Sequence, residues 1–305
     1  MRVRHAVAAL VAVTVAAGTG CATARPATDP AAGRRLDVVA AENTWGSLAS
    51  ELGGDRVRVT SLVNRPGADP HDYEPTAADA RAVATAALVI VNGAGYDPWA
   101  LRLDAANPAA GRTRLDVAAL VGVPAGGNPH RWYSPADVRT VIDALTARYG
   151  AADPAGASYY TTRRAQLLST GLRGYFDLIA AIRARYAGTP IGASESVVAP
   201  LAEALGLDLR TPASFLAAIS EGAEPTPADK ATVDAQIATG QLAVYVYNSQ
   251  NATPDVRAQV AAARAAGIPV ATVTETLDPP GARFGDWQVA QLAALRDALA
   301  RATGR

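Results

Sequence analysis

The chain has 305 residues, 28 Lys plus Arg against 28 Asp plus Glu, 50% hydrophobic residues and a single cysteine. That composition excludes a disordered chain, a collagen and a disulfide-stapled scaffold, and a zero formal charge without a basic run excludes the electrostatic footprint of a nucleic-acid binder. A chain of this length can bury a sizeable core and divides into two domains or lobes.

Arg2 and Arg4 precede an uncharged run of small and apolar residues, 6–20, that ends at Cys21. The run falls short of the roughly 20 residues that a membrane-spanning helix needs. Residues 1–20 therefore read as a signal peptide, and the mature chain is expected outside the cytoplasm. The position of Cys21 resembles the lipobox of a bacterial lipoprotein, which would make it the lipidated N-terminus and anchor the protein to the outer face of the cell membrane. Gly18 departs from that pattern, where Leu is usual, and the alternative is an ordinary cleaved signal followed by an unmodified cysteine. Without Arg2 and Arg4 the mature chain has 26 basic against 28 acidic residues. Residues 21–35, with Pro26 and Pro30 and no large apolar side chain, read as the lipidated Cys and a flexible tether.

From Leu36 onward, short β-branched runs alternate with Ala-rich helical stretches, the pattern of α/β units on parallel sheets. Strands are predicted at 36–40, 57–63, 87–92, 189–193, 243–247 and 268–273. Helices are predicted at 45–52, 77–86, 135–149, 197–205, 228–239 and 254–266. The segment 154–186 differs from these. Asp153 is placed to cap it with Pro154 at its first position, and Leu168, Leu172, Tyr175, Ile179, Ile182 and Tyr186 step by three and four along one helical face. Such a helix would run roughly 45 to 50 Å. Gly188 and Pro190 stop it. The expected architecture is two Rossmann-like α/β lobes with parallel sheets, 36–152 and 188–305, joined by one long helix over 153–187. Two shorter helices with a break near Gly171 are the alternative.

His5 leaves with the signal peptide, so the mature chain has two histidines. His71 lies in Asp69-Pro70-His71-Asp72-Tyr73-Glu74-Pro75 after a strand, and His130 lies in Asn128-Pro129-His130-Arg131-Trp132-Tyr133-Ser134-Pro135 before a helix. In each motif a proline precedes the histidine and a second follows four or five residues later. Proline restricts the backbone on both sides, which suits a metal ligand held with one ring nitrogen aimed inward. The neighbouring Tyr73 and Trp132 read as packing residues.

These two motifs resemble those of the zinc/manganese solute-binding lipoproteins of bacterial ABC metal importers, and the resemblance runs from Val38 to about Leu299. The resemblance implies two lobes linked by a long helix, with His71 and His130 as the first two metal ligands. It places the third at Glu195, in Ser194-Glu195-Ser196, where the manganese type has Glu and the zinc type has His. It places the fourth at Glu275, in Thr274-Glu275-Thr276, where Asp is usual, with Asp278 as a substitute. His71, Glu195 and Glu275 all follow the carboxyl end of a predicted strand, where open α/β sheets bind their ligands. Asn248 lies on the same rim and is a candidate to support the ligands.

Two neutral imidazoles and two carboxylates offset a divalent charge and can close the coordination shell, which suits capture rather than catalysis. Motifs such as His-Glu-x-x-His or Gly-x-Ser-x-Gly do not occur, so an enzyme is not expected. The cargo is expected to be Mn(II) or Zn(II): two carboxylates lean toward Mn(II), whereas the Irving–Williams order favours Zn(II). A monomer is expected, with an ABC permease and its ATPase as partners. Rival readings are a binding protein for a metal chelate such as a siderophore or cobalamin, an extracytoplasmic metallohydrolase, and an adhesin or metal buffer without a transporter.

Overall fold

The computed structural model describes residues 35–65, 70–71, 73–124 and 126–305. The signal peptide, Cys21 and nearly all of the tether lie outside the described residues. Among the described residues no helix is long and apolar enough to cross a membrane.

The first lobe is built on β1 (Leu36–Glu42), β2 (Val57–Val63), β3 (Leu88–Val91) and β4 (Thr113–Asp116), all parallel, in the order β2-β1-β3-β4. The second repeats the plan with β5 (Pro190–Ala193), β6 (Asp208–Leu209), β7 (Val244–Asn248) and β8 (Val270–Val273) in the order β6-β5-β7-β8. Helices cover both faces of such sheets, so the central strands are buried on both sides and have no polar alternation. Val38, Val39, Ala40 and Ala41 of β1 accordingly are all buried. In this strand order the connections that leave β1 and β3 run to opposite sides, as do those that leave β5 and β7, which opens a crevice at the carboxyl ends of each pair.

All six predicted strands form within two residues of the expected bounds. The six predicted helices also form, as α1 (Asn43–Gly53), α2 (Ala77–Thr85), α5 (Pro135–Ala152), α8 (Ala199–Leu205), α10 (Pro227–Ala238) and α11 (Pro254–Ala265). Local chemistry starts several of them. Thr76 and Asp79 form a reciprocal capping box at α2, while Ser134, Thr226 and Thr253 accept a backbone N–H ahead of α5, α10 and α11, each with proline in the first turn. The structure adds β4, β6, α3 (Pro98–Ala106), α4 (Val117–Leu120), α9 (Ala213–Ser220) and α12 (Phe284–Thr303).

The connection between the lobes is helical, with a change of winding inside it. After a 3₁₀ turn at Pro154–Gly156, α6 (Ala157–Gln166) passes through a π turn at Leu167–Gly171 into α7 (Arg173–Tyr186). Asp153 caps the start, accepting from Gly156 N–H at 3.1 Å, and also binds Arg56 Nε at 2.7 Å and Tyr160 Oη at 2.9 Å. In the π turn Leu172 N–H reaches back to the Leu167 carbonyl at 2.8 Å, and Leu172 itself leaves helical geometry at φ −108°, ψ 7°. The segment 153–187 is therefore not one uninterrupted α-helix: its winding changes at Leu167–Gly171, where the alternative of two shorter helices places its break. Tertiary packing accompanies the change: α12 crosses so closely that a Cβ on Gly285 would lie 2.7 Å from the Gly171 carbonyl oxygen and 3.2 Å from Leu172 Cδ2. Gly285→Ala is expected to lower stability by about 1–3 kcal/mol, overpacking outweighing the gain in helix propensity. A denaturant midpoint unchanged or raised in that variant would contradict the close approach.

Candidate metal centre

His71 and His130 reach the cleft from loops that are anchored in the same way. The carbonyl of Pro70 accepts Trp99 Nε1–H at 2.7 Å, and the carbonyl of Pro129 accepts Asn92 Nδ2–H at 2.9 Å. Both donors lie in the segment after β3. Asn92 is held in turn by Trp45 Nε1–H at 2.9 Å, and the Asp97 carboxylate accepts the backbone N–H groups of Asn92 and Gly93 at 2.7 and 2.8 Å. Tyr96 stands between the histidines, its ring centroid 4.6 Å from that of His71 and 5.6 Å from that of His130, in edge-on contacts.

His71 is half-buried, but His130 is 0% exposed and packs edge-on against Trp132 at 5.3 Å. The position of His130 in a loop therefore does not keep it off the core. Asn128 orients its ring. The Asn128 amide donates to the Ser196 carbonyl at 2.7 Å, which turns Oδ1 toward His130, where it accepts the backbone N–H at 3.0 Å and faces Nδ1 at 3.0 Å. An amide oxygen can only accept, so Nδ1 is the protonated nitrogen on that side and Nε2 is the one turned toward the cleft. His130 Nε2 is buried without a hydrogen-bond partner among the described residues and lies 3.6 Å from Glu275 Oε2. An orphaned nitrogen beside a carboxylate is the donor geometry that a cation would complete.

The second lobe brings two buried carboxylates to the same place. Glu195 follows β5 and Glu275 follows β8, with 1% and 8% exposure. Ligand atoms of His71, His130 and Glu275 all lie within 4.8 Å of one another. Glu195 joins through Asn248 at the end of β7, whose amide donates to Glu195 Oε1 and, at 2.7 Å, to Glu275 Oε1. Asn251 donates to Glu195 Oε2 at 2.6 Å, and Tyr96 Oη–H to Glu275 Oε2 at 2.9 Å. Gln250 Oε1 accepts the backbone N–H groups of Glu275 and Thr276 at 2.8 and 2.9 Å, pinning the loop that carries the carboxylate. Asp278, the substitute considered for Glu275, is exposed and stands outside this cluster.

The two carboxylates share their burial unequally. Burial would raise both, yet for Glu275 the neighbouring His130, the Tyr96 hydroxyl and His71 prevail and hold it down to about 2. Glu195 has only neutral amides besides its Glu275 neighbour, so burial and that negative charge push it well above the usual carboxylate range. Burial and mutual repulsion thus favour retention of a proton by the pair, with Glu195 the carboxyl pushed upward. Behind the site, Glu42 at the end of β1 is 1% exposed with both oxygens lacking a donor, and burial together with Asp97 pushes it up as well.

Of the residues singled out in the sequence, His71, His130 and Glu275 come together, whereas Glu195 stands outside that group and is tied to it through Asn248. Sequence reasoning missed Tyr96, Asn128, Asn251, Gln250 and Glu42. Asn128 stood inside the second histidine motif, and Asn251 and Gln250 follow the strand that ends at Asn248, so their place on the rim was the available signal. The site is crossed by contacts between the lobes: besides Tyr96 to Glu275 and Asn128 to Ser196, Tyr133 Oη–H donates to the Thr274 carbonyl at 2.8 Å and Leu277 N–H to Asn43 Oδ1 at 3.1 Å.

The family model described as zinc-uptake complex component A, periplasmic, matches residues 38–298. The manganese-binding lipoprotein MntA of Halalkalibacterium halodurans is 29% identical over 154 residues, 50% of this chain and 50% of its own length. The iron-binding protein YfeA of Yersinia pestis is 29% identical over 165 residues, 52% of this chain and 51% of its own. The fold is similar to that of a Cd-bound periplasmic metal binding protein from Candidatus Liberibacter asiaticus, with TM-score 0.73 and 19% identity over 87% of this chain and 100% of the other. The chain spans about half the length of the curated relatives it matches.

Proposed function

The chain belongs to the family of periplasmic zinc-uptake complex component A proteins, and from that premise we propose that it is the metal-capturing subunit of an ABC importer. In this reading it binds one divalent transition metal ion, Mn(II) or Zn(II), between its lobes and delivers it to a membrane permease whose transport is driven by a separate ATPase. His71, His130, Glu195 and Glu275 are the ligands. The observation that carries the reading is the convergence of His71, His130 and Glu275 donor atoms within 4.8 Å, with Asn248 tying Glu195 to Glu275. Donor atoms around a first-row ion stand about 3 to 4 Å apart at bond lengths near 2.1 Å, so a modest contraction would bring His71, His130 and Glu275 to bonding distance, with Glu195 turning in as the fourth.

The chemistry supports carriage over turnover. Among the described residues, the groups that hydrogen-bond the carboxylate ligands are neutral amides and a tyrosine, which position ligands and do not serve as the base that activates a bound water. Export by the signal peptide of residues 1–20, lipidation of Cys21 and the tether 21–35 complete the proposal, placing a monomer on the outer face of the cell membrane, with lobes at 36–152 and 188–305 and the connecting helix at 153–187. Competitive titration of metal-stripped residues 22–305 with Mn(II) and Zn(II) tests it. One ion bound per chain, with affinity lost in His71→Ala, is the expected result. No binding of either ion would remove the reading and put the metal-chelate alternative in its place.

A further inference from the structure

Asn248 stands between the two carboxylates of the second lobe and is committed on every side. Its side-chain amide has two hydrogens; one goes to Glu195 Oε1 and the other to Glu275 Oε1. Its Oδ1 accepts Gln250 N–H at 3.0 Å, and its own backbone N–H donates to Ser194 Oγ at 3.0 Å. Asn248 is 0% exposed, so the amide cannot turn away into water. Each carboxylate therefore has Oε1 drawn toward Asn248. On Glu275 this leaves Oε2 facing His130 Nε2 at 3.6 Å, and Glu195 Oε2 is approached by Asn251 at 2.6 Å.

A carboxylate binds a cation through one oxygen or through both, and the second mode needs both oxygens turned toward the ion. Tyr96 and Asn251 donate to Oε2 of Glu275 and Glu195 in turn, so what separates the two oxygens of Glu275 is direction: Oε2 lies 3.6 Å from His130 Nε2 while Oε1 is held aside. One oxygen from Glu275 with two imidazoles and one oxygen from Glu195 makes a four-donor set. Zn(II) accepts four ligands in a tetrahedron, whereas Mn(II) favours six, oxygen-rich. We propose that Asn248 is a positioning residue that restricts Glu275 to binding through one oxygen and so sets how strongly the cleft discriminates Zn(II) from Mn(II). The inference rests on the reading of the cleft as a divalent-metal site.

The test measures dissociation constants for Zn(II) and Mn(II), by competition with a chelating dye, in the wild type, Asn248→Ala and Asn248→Ser, together with the coordination number of bound Zn(II) from X-ray absorption. Removing a group that orients ligands typically weakens metal binding about 10- to 100-fold. Zn(II) should weaken by that order in Asn248→Ala while Mn(II) weakens less, so that the ratio of the Mn(II) to the Zn(II) constant drops about tenfold, and Zn(II) coordination rises above four. Asn248→Ser, which keeps one donor, should lie between, and it decides the matter if the alanine variant does not fold. Equal weakening of both ions with unchanged coordination, or no change for either, overturns the assignment to Asn248. Failure of the wild type to bind either ion would instead defeat the functional reading.

Discussion

Replacing His130 with alanine is expected to abolish the stabilisation that metal confers. At a free metal concentration about 1,000 times the dissociation constant, binding to the native state alone stabilises a protein by about 4 kcal/mol, which for a chain of this size is on the order of 10 °C in Tm. His130 Nε2 lies 3.6 Å from Glu275 Oε2 without a hydrogen-bond partner among the described residues, and its ring is fixed in place: Asn128 holds it from one side and Trp132 and Tyr96 pack it on others. The variant also loses stability without metal, because a fully buried ring leaves a void that its aromatic neighbours fill only partly. The informative quantity is therefore the difference between loaded and metal-stripped protein, in which the void cancels. His71→Ala, at a half-buried position, should remove the same difference with a smaller effect on the metal-stripped protein. A metal-induced shift in Tm as large in His130→Ala as in the wild type would sink the ligand assignment.

The second large effect is the pH dependence. Glu195 and Glu42 both have folded-state values raised well above the ordinary glutamate value. Below about pH 4.5 these two groups are protonated folded or unfolded and contribute no slope; above it the unfolded chain ionises while the folded chain resists. The contribution of each to the stability of the metal-stripped protein thus falls as pH rises, by up to about 1.4 kcal/mol per pH unit. Glu275, held down to about 2, acts in a separate window: its contribution is present above about 4.5 and is lost as pH falls toward about 2. Metal reverses the first effect, because binding expels the proton from Glu195. Affinity is expected to rise up to about tenfold per pH unit for each proton released, so about 100-fold for one proton between pH 5 and 7. Calorimetric titrations in two buffers of different ionisation enthalpy count the protons. Glu195→Gln should flatten part of the apo slope and Glu42→Gln the rest, only the former changing the proton count. Metal binding without proton release over this range would show that the pair does not hold a proton.

Several parts of this architecture are legible along the chain for simple reasons. Central parallel strands bury both faces, so β1, β3, β5 and β7 announce themselves as short apolar runs. Edge strands carry less of that signal: β4 has only Leu115 fully buried and β6 is two residues long. The pattern of α12 is present in the sequence as well, with Phe284, Trp287, Gln288, Gln291, Leu292, Leu295, Ala298 and Leu299 at helical spacing on its buried face. The change of winding at Leu167–Gly171 could not be read in the same way, because its partner is the start of α12, more than a hundred residues away.

The sequence by itself determined the two α/β lobes, the helical connection between them and the pair of proline-flanked histidines, since these depend on local composition and on spacing within one element. Only the tertiary structure decided which carboxylates meet those histidines and what holds them there. Tyr96 reaches Glu275 across 179 residues, and Asn248 reaches Glu195 across 53. Such groups are selected by where strand ends converge, which the topology of two crossing lobes sets and no run of neighbouring residues encodes. Asn128 shows both levels together: its motif marks it beside His130, but its role follows from the amide being turned by the Ser196 carbonyl of the other lobe.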